Sequence, residues 1–245
     1  MFRTARPVVL ALVAASALTL AACGGNDDES ADGTTSTTEA PAEATEVRAA
    51  AEGEMADGPA TPSAGCGTSE AGQLSLSKQT LADSDRWWLL TTPSEHDGER
   101  PLPLVVDFHG LSEGADVHAQ MSNLTELAET EAFVLAVPNG TGAPLRWEAT
   151  ADPDGTDMTF AADMLDQLES ELCIDTSRVY VTGLSNGAFM TSAMACVLSD
   201  RVAAVAPVAG VQVPEGCDPS RPVPILSFHG TEDAILLFNG GVGDS

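Results

Sequence analysis

Lysine is almost missing from this chain, with Lys78 the single copy among 245 residues. A phosphate-binding loop of the form G-x-x-x-x-G-K-[ST] therefore has no lysine to use, and no such string occurs. Arginine adds little: ten basic residues face 37 acidic ones, for a formal charge of −27. A surface of that sign repels a phosphate backbone, which argues against nucleic acid as a partner. It suits an exported protein that must stay soluble. No Cys-x-x-Cys pair is present, so the cysteines do not read as a zinc site, and neither metal nor other cofactor is expected. Histidine is the scarcity with most consequence, since only His96, His109, His118 and His229 occur.

Long apolar runs are absent too. The run over residues 8–22 follows a short basic head, Arg3 and Arg6, and is broken only by Ser16 and Thr19. It falls short of the ~20 apolar residues that span a bilayer, and it reads as a signal peptide. Its end, Leu20-Ala21-Ala22-Cys23, resembles the bacterial lipoprotein signal. That resemblance implies cleavage before Cys23 and acylation of its thiol. The anchor would hold the exported chain at the outer face of the bacterial membrane, with ordinary secretion and release as the alternative. Each buried acyl methylene contributes about 0.8 kcal/mol of membrane affinity.

Residues 23–65 follow as an acidic, Gly/Ser/Thr/Ala/Pro-rich stretch without aromatics. Such a segment buries too little to repay its ordering entropy, so it is expected to be a disordered tether. The folded domain is placed at 66–245. Within it, apolar runs predict strands at 86–90, 101–109, 132–137, 178–182, 202–209 and 223–228. Helical spacing predicts helices at 117–131, 158–172 and 187–198, with Asp157 capping the second. Strands alternating with helices predict an α/β domain with a mostly parallel, doubly wound sheet. Ligands of such sheets lie at the carboxyl ends of strands.

Three segments at such ends carry chemistry. Gly183-Leu184-Ser185-Asn186-Gly187 matches G-x-S-x-G between a strand and a small-residue helix, which is the setting of a nucleophile turn. Ser185 is the candidate nucleophile. The amide of Asn186, at the following helix N-terminus, is the natural first oxyanion donor. Asp107-Phe108-His109-Gly110-Leu111 closes an earlier strand, and the second donor is assigned to Leu111, with Gly110 as runner-up. His109 is read as structural because it precedes the serine. Phe228-His229-Gly230-Thr231-Glu232-Asp233 follows a late strand and offers Asp233 as the acid.

Taken together, these segments resemble the secreted poly(3-hydroxybutyrate) depolymerase and feruloyl esterase family of α/β-hydrolases. The stretches that carry the resemblance are 104–110, 177–187, Val205-Ala206-Pro207-Val208-Ala209-Gly210 and His229-Gly230-Thr231-Glu232-Asp233. The resemblance implies an α/β-hydrolase fold and an acyl-enzyme on Ser185, with Asp233 as the acid. It implies an ester substrate, in the form of a polyhydroxyalkanoate polymer, or a feruloyl or acetyl ester of a plant cell-wall fragment. One departure is Leu236-Leu237-Phe238 where the family commonly has Val-Pro-Tyr. The larger departure is that no histidine follows His229. The family's base should come after Asp233, so the chain is expected to lack its C-terminal part and to show little or no esterase activity as written. A serine peptidase of the same fold, and a lipid-tethered binding protein derived from a hydrolase, are the competing readings.

Cys66, Cys173, Cys196 and Cys217 remain once Cys23 is set aside. An even number in an exported domain predicts two disulfides, with three possible connectivities. The pairs Cys66–Cys173 and Cys196–Cys217 are preferred. Trp147, in the long loop after a strand, is the candidate substrate contact. Asp152, Asp154 and Asp157 do not fit a calcium loop, since Pro153 and the spacing break the pattern.

Overall fold

The computed structural model describes residues 58–70 and 75–243. The signal segment, Cys23 and most of the expected tether lie outside the described residues.

Ten elements follow in order: β1 (Ser75–Thr80), β2 (Trp87–Thr92), β3 (Leu102–Phe108), α1 (Ala115–Ser122), α2 (Leu124–Thr130), β4 (Val134–Pro138), α3 (Thr156–Glu171), β5 (Ile174–Leu184), α4 (Asn186–Val197) and β6 (Ala204–Val208). The strands form one sheet in the order β1-β2-β4-β3-β5-β6. β1, β2 and β4 pair antiparallel, while β4, β3, β5 and β6 run parallel. The sheet alternates its side chains between two cores, as the period-2 geometry of strands requires. Trp88, Leu90, Leu104, Val106, Phe108, Val134 and Ala136 pack with Met158, Met164 and Leu165 of α3 and Met190 of α4. Leu89, Leu135 and Val137 face the other way, onto Ala115, Ala119 and Ala128 of α1 and α2. Helices thus cover both faces of a mostly parallel sheet, which is the α/β-hydrolase fold.

The departures from the sequence pattern have local causes. The expected helix 117–131 is two helices, because Asn123 takes the left-handed conformation (φ 55°) and starts a second helix there. Residues 223–228 lie parallel to β6 but pair with it at two isolated bridges, Val205–Ile225 and Val208–Phe228, rather than in a continuous ladder. Pro207, Pro222 and Pro224 supply no amide hydrogen for a longer ladder. β1 went unpredicted, for its Ser-Leu-Ser-Lys-Gln-Thr sequence carries one large apolar residue.

Asp157 does not cap α3. The N-cap is Gly155, and the Asp157 carboxylate instead accepts from Arg86 Nη2 (2.7 Å) and the Glu148 amide (2.7 Å). Folding also begins earlier than Cys66. Ser63 and Thr61 dock on the start of β5, with Ser63 N–H donating to Ile174 O (2.8 Å) and Thr61 N–H to Asp175 Oδ1 (2.9 Å). Composition assigned these residues to the tether because it does not register which backbone groups find partners.

Two disulfides are present, Cys66–Cys173 and Cys196–Cys217. The first closes a separation of 107 residues and ties the chain's entry to the end of α3. In the chain-entropy view, a loop near that length contributes about 4.7 kcal/mol, before any native-state strain.

Candidate active site

Gly110 and Leu111 follow the carboxyl end of β3, Ser185 and Asn186 follow that of β5, and Asp233 follows the segment 223–228 that bridges to β6. Ser185 follows β5 and is the N-cap of α4, with φ 54° and ψ −114°, a backbone conformation that costs a non-glycine residue on the order of 1–3 kcal/mol. The turn is held in place from both sides. Ser185 N–H donates to Val208 O at the end of β6 (2.9 Å), and its carbonyl accepts from Phe189 of α4 (3.1 Å). The flanking glycines are required by contact distance. A Cβ on Gly187 would lie 2.1 Å from Phe108 O, and one on Gly183 would lie 2.6 Å from Gly187 O. The Ser185 turn therefore rests directly on the backbone at the end of β3.

Ser185 is half-buried rather than enclosed. Asn186 is the first residue of α4, where an amide has no partner inside the helix. The Asn186 side chain is itself tied down: its Oδ1 accepts from Trp147 N–H (2.7 Å) and its Nδ2 donates to Trp147 O (3.1 Å). Sequence reading used only the backbone of this residue.

The loop after β3 separates the two proposed donors. Gly110 N–H donates to Glu113 Oε2 at 2.8 Å, so this amide is already engaged and the runner-up assignment fails on that ground. Leu111 N–H has no hydrogen-bond partner among the described residues. Glu113 escaped notice in the sequence, although a carboxylate three residues beyond a turn glycine is a pattern that allows such a bond.

Trp147 is not an open substrate contact. It is 3 % exposed, its indole N–H donates to His109 O (3.0 Å), and its ring lies edge-on to Phe108 at 4.9 Å. Substrate contact was assigned to it from its place in a loop, but loop position does not fix burial.

Each histidine has a defined place. His109 is fully buried. Its Nε2 accepts from Gly140 N–H (2.8 Å), which leaves Nδ1 to donate to Gly110 O (2.6 Å). Burial holds its pKa below the ordinary value. It is thus a neutral structural ring. His96 is buried with its pKa likewise lowered by desolvation, and its Nε2 accepts from Cys173 N–H (3.2 Å). His118 lies between Asp107 and Glu113. His229 contacts Leu236 O (2.7 Å) and stands 3.4 Å from Asp233 Oδ2. No imidazole among the described residues hydrogen-bonds Ser185 Oγ.

Asp233 is fixed by its own loop. Its Oδ1 accepts from the Ile235 and Leu236 amides, both at 2.9 Å, and these bonds hold its pKa below the usual carboxylate range. The loop lies beside the serine turn: a Cβ built on Gly210 would meet both Leu236 Cδ1 and Ser185 O at 3.2 Å. The link to β6 is direct, since Ala209 N–H donates to Phe228 O (2.8 Å) one residue before His229. No cluster of metal-ligating side chains occurs among the described residues.

Comparison with known proteins agrees with this architecture. The chain is 30 % identical over 158 residues to feruloyl esterase B of Piromyces equi, covering 61 % of this chain and 30 % of that one. It is 30 % identical over 191 residues to a probable feruloyl esterase C of Aspergillus clavatus, covering 75 % and 66 % respectively. The chain thus spans only part of the length of these relatives. An acetyl xylan esterase structure from Aspergillus awamori shares the fold with a TM-score of 0.51 at 21 % identity, over 60 % of this chain and 57 % of that one. A thermostable esterase structure does so with a TM-score of 0.54 at 19 % identity, over 68 % and 48 %. Residues 88–240 match the family described as esterase PHB depolymerase, and the chain belongs to that family.

Proposed function

We propose that this protein is a serine hydrolase of carboxylic esters, with Ser185 as nucleophile and the amides of Leu111 and Asn186 as oxyanion donors. The observation that carries this reading is the strained, half-exposed Ser185 between a strand end and a helix N-terminus. The Ser185 Oγ–carbonyl bond forms and gives a tetrahedral oxyanion. Collapse breaks the carbonyl–alkoxy bond, and the alcohol leaves with a proton. Water then attacks the acyl-serine and releases the acid. Asp233 is the acid that orients a base. The relatives named as feruloyl esterases support an ester of an aromatic acid or a cell-wall sugar as substrate, with polyhydroxyalkanoate polymer as the alternative. Acylation at Cys23 would tether the domain to the membrane through the acidic stretch that runs to residue 65.

A second reading has its own observation. No imidazole among the described residues hydrogen-bonds Ser185 Oγ, and a serine left without a base would be a weak nucleophile, which would suit a lipid-tethered binding protein derived from a hydrolase. Reaction with an alkyl fluorophosphonate separates the two. There the Ser185 Oγ–P bond forms, the P–F bond breaks, fluoride leaves, and the hydroxyl proton passes to solvent. Slow stoichiometric labelling that maps to Ser185 by peptide mass, with little turnover of p-nitrophenyl acetate, is the expected result. A folded chain that stays unlabelled at Ser185 would sink the hydrolase reading.

A further inference from the structure

Asp107 and His118 are almost completely buried, and the mechanism above uses neither. Asp107 is the penultimate residue of β3, and its Oδ1 lies 2.9 Å from His118 Nε2. Its Oδ2 has no partner among the described residues, so His118 is the side chain that holds this carboxylate. On the other side of the ring, His118 Nδ1 stands 3.2 Å from Glu113 Oε2. That same Oε2 accepts the Gly110 amide at 2.8 Å. A continuous path thus runs from the carboxyl end of β3 through an imidazole and a carboxylate to the turn that precedes Leu111.

We propose that His118 is a positioning residue for this turn: bridging Asp107 and Glu113, it keeps the Glu113 carboxylate on the Gly110 amide and leaves the Leu111 amide as the open donor of the loop. The inference deepens the proposed function and rests on its assignment of Leu111. The chemistry of the ring supports it. An imidazole donates from both nitrogens only when protonated; a neutral ring gives one carboxylate a proton and shows the other a lone pair. Burial alone would discharge His118, but the hydrogen bond and charge of Asp107, with Glu113 behind them, outweigh it and raise its pKa above the ordinary value. Asp107 faces the ring from β3 and Glu113 from the loop. His109, held neutral by burial, is the third titratable neighbour. A neutral His118 can donate to one carboxylate alone; Asp107, at 2.9 Å against 3.2 Å for Glu113, keeps the proton, and the tie to Glu113 is lost. Glu113 is partly exposed and can turn to water, releasing Gly110.

The test uses the full chain and two readouts. The first follows the His118 ring and the Gly110 and Leu111 amides by NMR from about pH 5 to about pH 9, across the range where imidazole changes charge. The expected result is that both amides shift with the midpoint of His118, and that His118→Gln abolishes this shift. The second readout is the rate of fluorophosphonate labelling at Ser185. His118→Gln and Glu113→Ala should slow it about tenfold, since small misplacements of catalytic groups cost that much or more. Glu113→Gln, which keeps an acceptor for Gly110, should restore most of the rate. Amides that stay flat through the His118 titration, or a His118→Gln variant that labels like the wild type, would overturn the proposal. Should a variant fail to fold, the wild-type co-titration decides alone. If the amides co-titrate but wild-type Ser185 never reacts, the positioning of Gly110 by His118 stands and the nucleophile assignment falls.

Discussion

The Asn186 side chain and the Trp147 backbone grip each other through two hydrogen bonds, one donated by Trp147 N–H and one by Asn186 Nδ2. The residue whose amide begins α4 is therefore anchored to the long loop between β4 and α3. Replacing Asn186 by Ala removes both bonds and leaves Trp147 N–H without its acceptor. The expected stability loss is about 1–3 kcal/mol by urea denaturation. Fluorophosphonate labelling of Ser185 should slow roughly tenfold, because the helix N-terminus loses its registration with the loop. Labelling at the wild-type rate would show that the clamp serves only the loop.

Behind that clamp lies a buried charge pair. Arg86 Nη2 meets Asp157 Oδ1 at 2.7 Å, with the guanidinium stacked 3.9 Å over Phe160. The other Asp157 oxygen takes the Glu148 amide, one residue from Trp147. Removing one partner strands the other charge in an apolar setting. Asp157→Asn should therefore cost about 3–5 kcal/mol, the range for broken buried pairs. An Arg86→Met, Asp157→Leu double change should recover much of the loss, since two apolar residues leave no unpaired charge. A double variant no more stable than Asp157→Asn would place the cost elsewhere, in the Glu148 amide.

The central strands, the helices α3 and α4 and the sharp turn at Ser185 were legible because each is announced by local pattern. Apolar runs marked β3 and β4, and Gly183 and Gly187 marked a turn that must touch neighbouring backbone. What escaped depends on residues distant in sequence. Asp157 looks like a cap until Arg86, 71 residues away, claims its carboxylate. Trp147 looks exposed until His109 and Phe108 close over it. The loop after β3, proposed to supply an oxyanion donor, shows both limits at once. The His109-Gly110 pair marks it in the sequence, but only the fold shows that Glu113 occupies the Gly110 amide while Leu111 N–H has no partner among the described residues.

Asp175 links the segment around Thr61 to the start of β5, and its protonation should set part of the acid limit of the fold. The side chain is 1 % exposed. Burial alone would raise its pKa. Against that, its Oδ1 accepts from Ser177 Oγ (2.6 Å), the Thr61 amide (2.9 Å) and the Ser177 amide (3.1 Å), while Oδ2 meets Arg178 Nε (2.5 Å). These bonds favour the ionised form and hold the pKa below the ordinary carboxylate value. A depressed folded pKa means that this stabilisation is complete above the unfolded value of about 3.9 and disappears as pH falls through the folded one. Asp175→Asn should lower stability at neutral pH by about 1–3 kcal/mol, since charge-assisted bonds become neutral ones. Urea titrations of both proteins at neutral pH and in acid check the sign: the gap between them should close as the pH drops below about 4. A gap that keeps its size in acid would mean that shape at this site, and not the charge on Asp175, holds Thr61 against β5.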